Sequence, residues 1–156
     1  MAIPVPQGFH TITPQLTIKG AANAIEFYKK AFNAELVMKM EGPGGAIAHA
    51  EMKIGDSMVF INDEFPQSPV QSPQTLGGTT GGLHIYAPDV DGWYQRAVGA
   101  GAKSTMAPAD MFWGDRMAQV IDPFGYVWGI SSHIEDLTEE EISVRSQAFW
   151  KSFAAQ

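Results

Sequence analysis

Phe27-Tyr28-x-Lys30-Ala31-x-x-Ala34 recurs 66 positions later as Trp93-Tyr94-x-Arg96-Ala97-x-x-Ala100. Aromatic residues and alanines at this spacing lie on one face of an α-helix, which predicts an amphipathic helix at each site. A motif that returns with the same spacing is typical of an internal repeat. The two motifs therefore predict a chain built from two copies of one structural unit.

Extended segments surround each predicted helix in the same order. One precedes the helix and three follow it, and glycine- and proline-rich turns at residues 42–45, 55–56 and 123–125 separate strands of the same copy. The predicted strands are residues 13–18, 35–40, 47–54 and 57–62 in the first copy, and residues 83–87, 103–107, 116–122 and 126–131 in the second. The sequence thus predicts an α+β fold of two tandem βαβββ units, with repeat 1 at about residues 9–64 and repeat 2 at about residues 79–133.

Two segments lie outside the repeats. Residues 65–78 are rich in Pro, Gln, Ser and Gly, which predicts a linker or flexible loop. Thr138 and Glu141 form a capping-box pattern that predicts a C-terminal helix at about residues 138–153. We expect its apolar face, which carries Phe149 and Phe153, to pack on the same domain or on a partner subunit.

Composition narrows the class of protein. A chain of 156 residues suits one domain, and the absence of cysteine excludes disulfides, thiolate metal sites and a cysteine nucleophile. The formal net charge of −7 disfavours nucleic acid as a partner. No apolar run approaches the roughly 18 residues of a membrane span, and the N-terminus lacks a signal-peptide pattern. We therefore expect a single-domain cytoplasmic protein with no nucleic-acid or membrane partner.

Four segments carry a resemblance to a known family: residues 24–32 (AIEFYKKAF), 49–56 (HAEMKIGD), 112–116 (FWGDR), and 122–125 (DPFG) with Trp128. Through them the chain resembles the vicinal-oxygen-chelate superfamily, and within it the PhnB-like glyoxalase/bleomycin-resistance group. The resemblance implies an open eight-stranded cup with outer helices, a small-molecule ligand inside it, and a homodimer. It does not name a reaction, because this fold hosts isomerases, lyases, dioxygenases, thiol transferases and drug-binding proteins.

The resemblance also implies where a metal ion would bind. Metal-dependent members carry His, Glu or Gln on the first and last strand of each unit, and these positions fall here on Thr13, Phe60, about Gly82, and Gly129. None of the four is a competent ligand for a divalent metal. We therefore predict no cofactor and no standard metal site. A two-residue shift at Gly82 would bring in His84, so a non-standard metal site stays open.

Strand alternation selects the catalytic candidates. Successive side chains of the strand at residues 47–54 point to opposite faces of the sheet. If the face with Ala50 and Met52 packs under the helices, the side chains that face the cup are those of Ile47, His49, Glu51 and Lys53. The same parity places His84 on the cup side. A histidine beside a carboxylate is the usual apparatus of acid–base catalysis, so His49, Glu51 and His84 are the candidates. The alternative is a hydrogen-bonded polar lining without catalysis.

Residues expected to bind the ligand share a place on the cup wall or in an aromatic loop. In that loop, Phe112 and Trp113 could stack on a ligand while Arg116 grips an anion, or the segment could be a turn with Trp113 packed. The full set is Thr13, Gln15, Phe60, Asn62, Tyr86, Phe112, Trp113, Arg116, Gln119 and Trp128.

Three functions fit this sequence. The first is a metal-independent protein that binds or sequesters a small organic or antibiotic-like molecule. The second is a lyase, isomerase or epimerase that uses His49, Glu51 or His84, with or without a non-standard metal. The third is a structural or regulatory dimer module with a vestigial cup.

Overall fold

The computed structural model describes residues 2–154, and the predicted βαβββ repeat is present in it twice. Repeat 1 contains β1 (Gln15–Ile18), α1 (Ala21–Phe32), β2 (Glu35–Glu41), β3 (Ile47–Ile54) and β4 (Ser57–Asp63). A short helix, α2 (Pro73–Leu76), joins it to repeat 2, which contains β5 (Gly82–Tyr86), α3 (Val90–Ala100), β6 (Lys103–Asp110), β7 (Asp115–Ile121) and β8 (Val127–His133). The C-terminal helix is α4 (Glu139–Ala154).

Each repeat forms its own four-stranded mixed sheet. Sheet 1 has the order β1-β4-β3-β2 and sheet 2 the order β5-β8-β7-β6, so the first strand of each unit lies parallel to the last. This arrangement confirms the predicted α+β fold of two tandem βαβββ units with a C-terminal helix, and the eight strands form two open sheets. The pairing register places Gln15 opposite Phe60 and His84 opposite Gly129. Two polar side chains therefore lie beside the last-strand positions where the family resemblance places metal ligands.

One hydrophobic core joins the two repeats. Helix α1 buries its aromatic face, and the Trp128 ring of β8 packs against Phe32 at 4.6 Å and Tyr28 at 5.4 Å between ring centroids. Helix α3 is capped by Asp89, which accepts a hydrogen bond from the Gly92 amide. Because Trp128 is almost fully buried, it belongs to this core, although one edge reaches the cavity described below.

The expected alternation on β3 holds from His49 onward and fails at Ile47. His49, Glu51 and Lys53 are half-buried on one face, while Ala50 and Met52 are buried on the other. Ile47 was expected on the cup side but is buried in the core. The reason is a register shift in the β2–β3 pairing, which adds one residue before His49 and turns Ile47 to the other face.

The segment between the repeats is more ordered than a flexible loop. Ser72 caps α2 by accepting from the Thr75 amide, and Glu64 accepts hydrogen bonds from both Ser72 and Thr75. Gln74 donates to the Pro123 carbonyl of repeat 2. These contacts fasten the segment to both repeats.

Helix α4 begins with the predicted capping box: the Glu141 amide donates to Thr138 Oγ1, and the Thr138 amide donates to Glu141 Oε2. None of the residues Glu139–Ala154 is fully buried, and Phe149 meets Phe112 at 5.2 Å between ring centroids. Within residues 2–154, every helix is too short or too polar to cross a bilayer.

Candidate functional site

A cavity of about 810 Å³ lies at the seam between the two repeats. The β3–β4 hairpin, residues 10–14 and strand β5 form its walls. Most of the lining is apolar, with Ile12, Ile54, Val59, Leu83, Ile85 and Trp93 among it; the polar groups are His10, Thr13, Asp56, Ser57, His84 and Tyr86. A cavity of this size with few polar groups is typical of a site for a small organic molecule.

His84 is held at this cavity by its neighbours on β8. Its Nε2 atom lies 2.8 Å from the hydroxyl of Ser131, which is fully buried. The imidazole also lies over Gly129, where a β-carbon would overlap His84 Nδ1. Gly129 is therefore needed to make room for the ring, and His84 occupies the space that a side chain at position 129 would fill.

This geometry bears on the metal positions implied by the family resemblance. Thr13, Phe60, Gly82 and Gly129 offer one hydroxyl between them and no carboxylate or imidazole, so these residues do not fit a divalent metal. Among residues 2–154, no group of three or more His, Asp or Glu side chains is placed to hold a metal ion. The absence of the standard metal site stays a prediction.

The catalytic candidates fall into two groups without a hydrogen bond between them in the described chain. His49 Nε2 lies 3.5 Å from Glu51 Oε1, and the His49 ring meets Phe60 edge-on at 4.8 Å. His84 contacts Ser131 and Tyr86 on sheet 2 instead. The structure therefore does not bring His49, Glu51 and His84 into one constellation within this chain, and their catalytic role stays a prediction.

The polar residues of β1 and β4 bond to one another. Gln15 Nε2 donates to Asn62 Oδ1 at 2.9 Å, and Asn62 Nδ2 donates to Thr17 Oγ1 at 3.3 Å. Phe60 lies beside these hydrogen-bonded side chains, opposite Gln15, and its ring centroid is 5.7 Å from that of Phe9. Among the described residues that line the seam cavity, Gln15, Phe60 and Asn62 are absent, so their role as ligand-binding residues stays a prediction.

The loop at residues 112–116 uses its polar groups internally. Arg116 donates two hydrogen bonds to Asp91 and one to Asp110, and these carboxylates raise the pKa of its guanidinium. Trp113 Nε1 donates to Asp115 at 3.2 Å. These contacts favour the turn interpretation over an anion-gripping loop. Gln119, farther along β7, accepts from Thr105.

Sequence reasoning missed a cluster around Asp115. This buried carboxylate accepts from Tyr86 Oη at 2.9 Å and from Trp113, and it lies 2.9 Å from His133 Nδ1. Burial opposes its ionisation, but the bonds from His133, Tyr86 and Trp113 outweigh burial and lower the pKa of Asp115. Alternation along β8 places His133 on the face of Gly129, yet no local pattern links it to a carboxylate on another strand.

Comparison with known proteins places this fold in a family. Residues 8–130 match the model of the Glyoxalase/Bleomycin resistance protein/Dioxygenase superfamily. The chain belongs to this superfamily. An uncharacterized protein of Mycobacterium tuberculosis strain H37Rv is 39% identical over 134 residues, which cover 84% of this chain and 79% of that protein.

Solved structures share this architecture. A PhnB protein from Bacillus cereus gives a TM-score of 0.61 at 15% identity and covers 79% of this chain and 99% of its own. The fosfomycin resistance protein FosX from Listeria monocytogenes gives a TM-score of 0.61 at 15% identity. The match covers 85% of this chain and 97% of the FosX chain. At such identities these likenesses show the fold alone.

Proposed function

We propose that this superfamily member binds a small organic or antibiotic-like molecule in the seam cavity, without the standard metal site. The observation that carries the proposal is the cavity itself: about 810 Å³, mostly apolar, with His84 fixed at its wall by Ser131 and Gly129. Its volume lies within the range of cavities that enclose drug-sized ligands. Placement in the PhnB-like group is part of the proposal and is supported by the four sequence segments.

The charge of the lining indicates which ligands fit best. No lysine or arginine is among the described residues that form the cavity wall, and Asp56 is the acidic residue there. The chain as a whole has a formal net charge of −7. A neutral or cationic molecule therefore suits this cavity better than an anion such as a phosphonate.

A fluorescence titration with Nile red, a neutral dye that brightens in apolar surroundings, tests the proposal. We compare the wild type with Gly129→Ala, whose new methyl group displaces the His84 ring from Ser131. Gly99→Ala is the matched control, because a β-carbon there, on the exposed side of α3, meets no neighbouring atom within 4 Å.

We expect the wild type and Gly99→Ala to bind Nile red alike, and Gly129→Ala to bind it at least about threefold more weakly. Equal affinity in all three proteins would place the dye elsewhere and contradict the cavity as the binding site. Absence of dye binding to the wild type would also count against it.

A further inference from the structure

His133, the last residue of β8, has a carboxylate at each ring nitrogen. Its Nδ1 atom lies 2.9 Å from Asp115 Oδ1, and its Nε2 atom lies 2.8 Å from Asp136 Oδ1. An ionised carboxylate only accepts hydrogen bonds, whereas a neutral imidazole has one N–H to donate. Both contacts can be hydrogen bonds at once only when His133 is the doubly protonated imidazolium.

The two carboxylates are unequal partners. Asp115 is buried and is also held by Tyr86 and Trp113, whereas the Asp136 side chain is fully exposed. Among the described residues, His133 is the one side chain hydrogen-bonded to Asp136. When His133 loses a proton, it keeps one donor, and the buried Asp115 keeps its bond because an uncompensated buried charge is costly. The contact that is lost is the one to Asp136.

Asp136 belongs to the segment that connects β8 to α4, and few contacts hold this segment down. The amides of Ile134 and Glu135 donate to the Gly114 carbonyl, and Arg145 of α4 makes two 2.7 Å hydrogen bonds to Glu135. Beyond these, Phe149 packs on Phe112, and no residue of α4 is fully buried. The contact between His133 and Asp136 therefore adds to a small set of contacts that fasten residues 134–154.

We propose that His133 is a proton-operated latch that fastens the C-terminal segment, residues 134–154, to sheet 2. Protonated, it bridges Asp115 of β7 and Asp136 of the connecting segment; deprotonated, it keeps Asp115 and releases Asp136. The other charged groups nearby do not compete for it, because Glu135 pairs with Arg145, and Arg116 pairs with Asp91 and Asp110. Tyr86 donates to Asp115, so it links the latch to the wall of the seam cavity.

The direction of the pH effect follows from the bonds. The hydrogen bonds to Asp115 and then Asp136 raise the pKa of His133 above its usual value of about 6.5. A group whose pKa is raised by folding contributes stability fully below its unfolded pKa and loses it as the pH rises through the folded pKa. The segment is thus fastened at mildly acidic pH and loosened at alkaline pH.

Two measurements on the whole chain test the latch. NMR of the histidine rings gives the pKa of His133. Hydrogen exchange read by mass spectrometry, corrected for the intrinsic pH dependence of exchange, gives the protection of residues 134–154 at about pH 6 and about pH 8.5. Asp136→Asn removes the exposed carboxylate, and Asp110→Asn is the control, because it removes another exposed carboxylate that is bonded to Arg116 instead.

We expect the protection of the amides of residues 134–154 against hydrogen exchange to fall at least about threefold from about pH 6 to about pH 8.5. This fall should be seen both in the wild type and in Asp110→Asn. In Asp136→Asn the segment should be less protected at the lower pH and show no such fall, and the pKa of His133 should drop. A His133 pKa at or below the usual value, or a fall that persists in Asp136→Asn, would overturn the proposal.

Discussion

Asp122 is one of the side chains through which repeat 2 holds repeat 1. It is buried, and its Oδ2 atom accepts from Tyr28 Oη at 2.6 Å and from Trp128 Nε1 at 2.9 Å. Its Oδ1 atom accepts from the amides of Phe124 and Tyr126 in the β7–β8 turn. Tyr28 belongs to α1 of repeat 1, whereas Trp128 belongs to β8 of repeat 2. The Asp122 carboxylate therefore joins the β7–β8 turn and strand β8 of repeat 2 to helix α1 of repeat 1.

We predict that Asp122→Ala lowers the free energy of unfolding by about 3–5 kcal/mol, because it leaves several buried donors without an acceptor. Tyr28→Phe removes one donor, leaves the rest satisfied, and should cost about 1–2 kcal/mol. Urea denaturation followed by circular dichroism measures both. The exposed turn residue Asp56 provides the control, since Asp56→Ala should change stability by less than about 0.5 kcal/mol. A cost for Asp122→Ala no larger than this control would contradict the prediction.

Asp122 also shows how far sequence reasoning reaches for single side chains. Its position before Pro123 and Gly125 predicts a role in the turn alone; the bonds to the two turn amides show that role, and the bonds from Tyr28 and Trp128 show that it is not the whole one. The bond to Tyr28 spans 94 positions and depends on how α1 packs on repeat 2, which no local pattern encodes. Gly129 is a similar case. A glycine is needed there because the His84 ring on the neighbouring strand fills the space of a side chain, and only the pairing register reveals that contact.

The strands were predictable because alternation and turn residues are local signals. Strand β3 has the predicted bounds, and β6 starts at Lys103 as predicted but continues to Asp110 rather than ending near residue 107. The extension includes Pro108, and proline lacks the amide that a central strand needs. In the structure β6 is the edge of sheet 2, where one side of the strand needs no partner, so the proline is tolerated.

Helix α4 depends on its own sequence more than on packing, since no residue of it is fully buried. Its capping box at Thr138 and Glu141 is therefore a main source of its stability. We predict that Thr138→Ala destabilises α4 by about 1 kcal/mol, seen as faster amide exchange in residues 139–154 with little change in the two sheets. Thr138→Ser keeps a capping hydroxyl and should behave like the wild type. Equal exchange in the alanine and serine variants would show that the cap does not stabilise the helix.

The molecule as a whole was predictable in its fold and not in its cavity. Repetition of one unit and its strand order follow from the sequence pattern of each copy. The seam cavity depends on where the β3–β4 hairpin of one repeat lies against β5 of the other. That placement follows from contacts between the repeats, such as Phe32 on Trp128 and Tyr126 Oη donating to the Thr17 carbonyl. Such contacts join residues far apart in sequence, so Thr13, His84 and Tyr86 could be named as candidates but not placed on one cavity wall.

The exposed aromatic residues of α4 favour the homodimer expected from the family resemblance. Trp150 is 59% exposed and Phe153 is 60% exposed, and they adjoin Phe149 to form one apolar surface. Large exposed aromatic surfaces of this kind are typical of protein interfaces, where Trp contributes strongly to affinity. A second copy of the chain is the partner that is always present at matching concentration.

We therefore predict a concentration-dependent dimer by analytical ultracentrifugation, with a dissociation constant at least about tenfold higher in the double variant Trp150→Ser, Phe153→Ser. Val98→Ser is the control, because Val98 is an exposed apolar residue of a different helix, α3. Circular dichroism checks that α4 stays helical, so that a lost dimer is not mistaken for a lost helix. A wild type that sediments as a monomer at about 100 μM, or a double variant that dimerises as tightly as the wild type, would show that this surface does not join two copies of the chain.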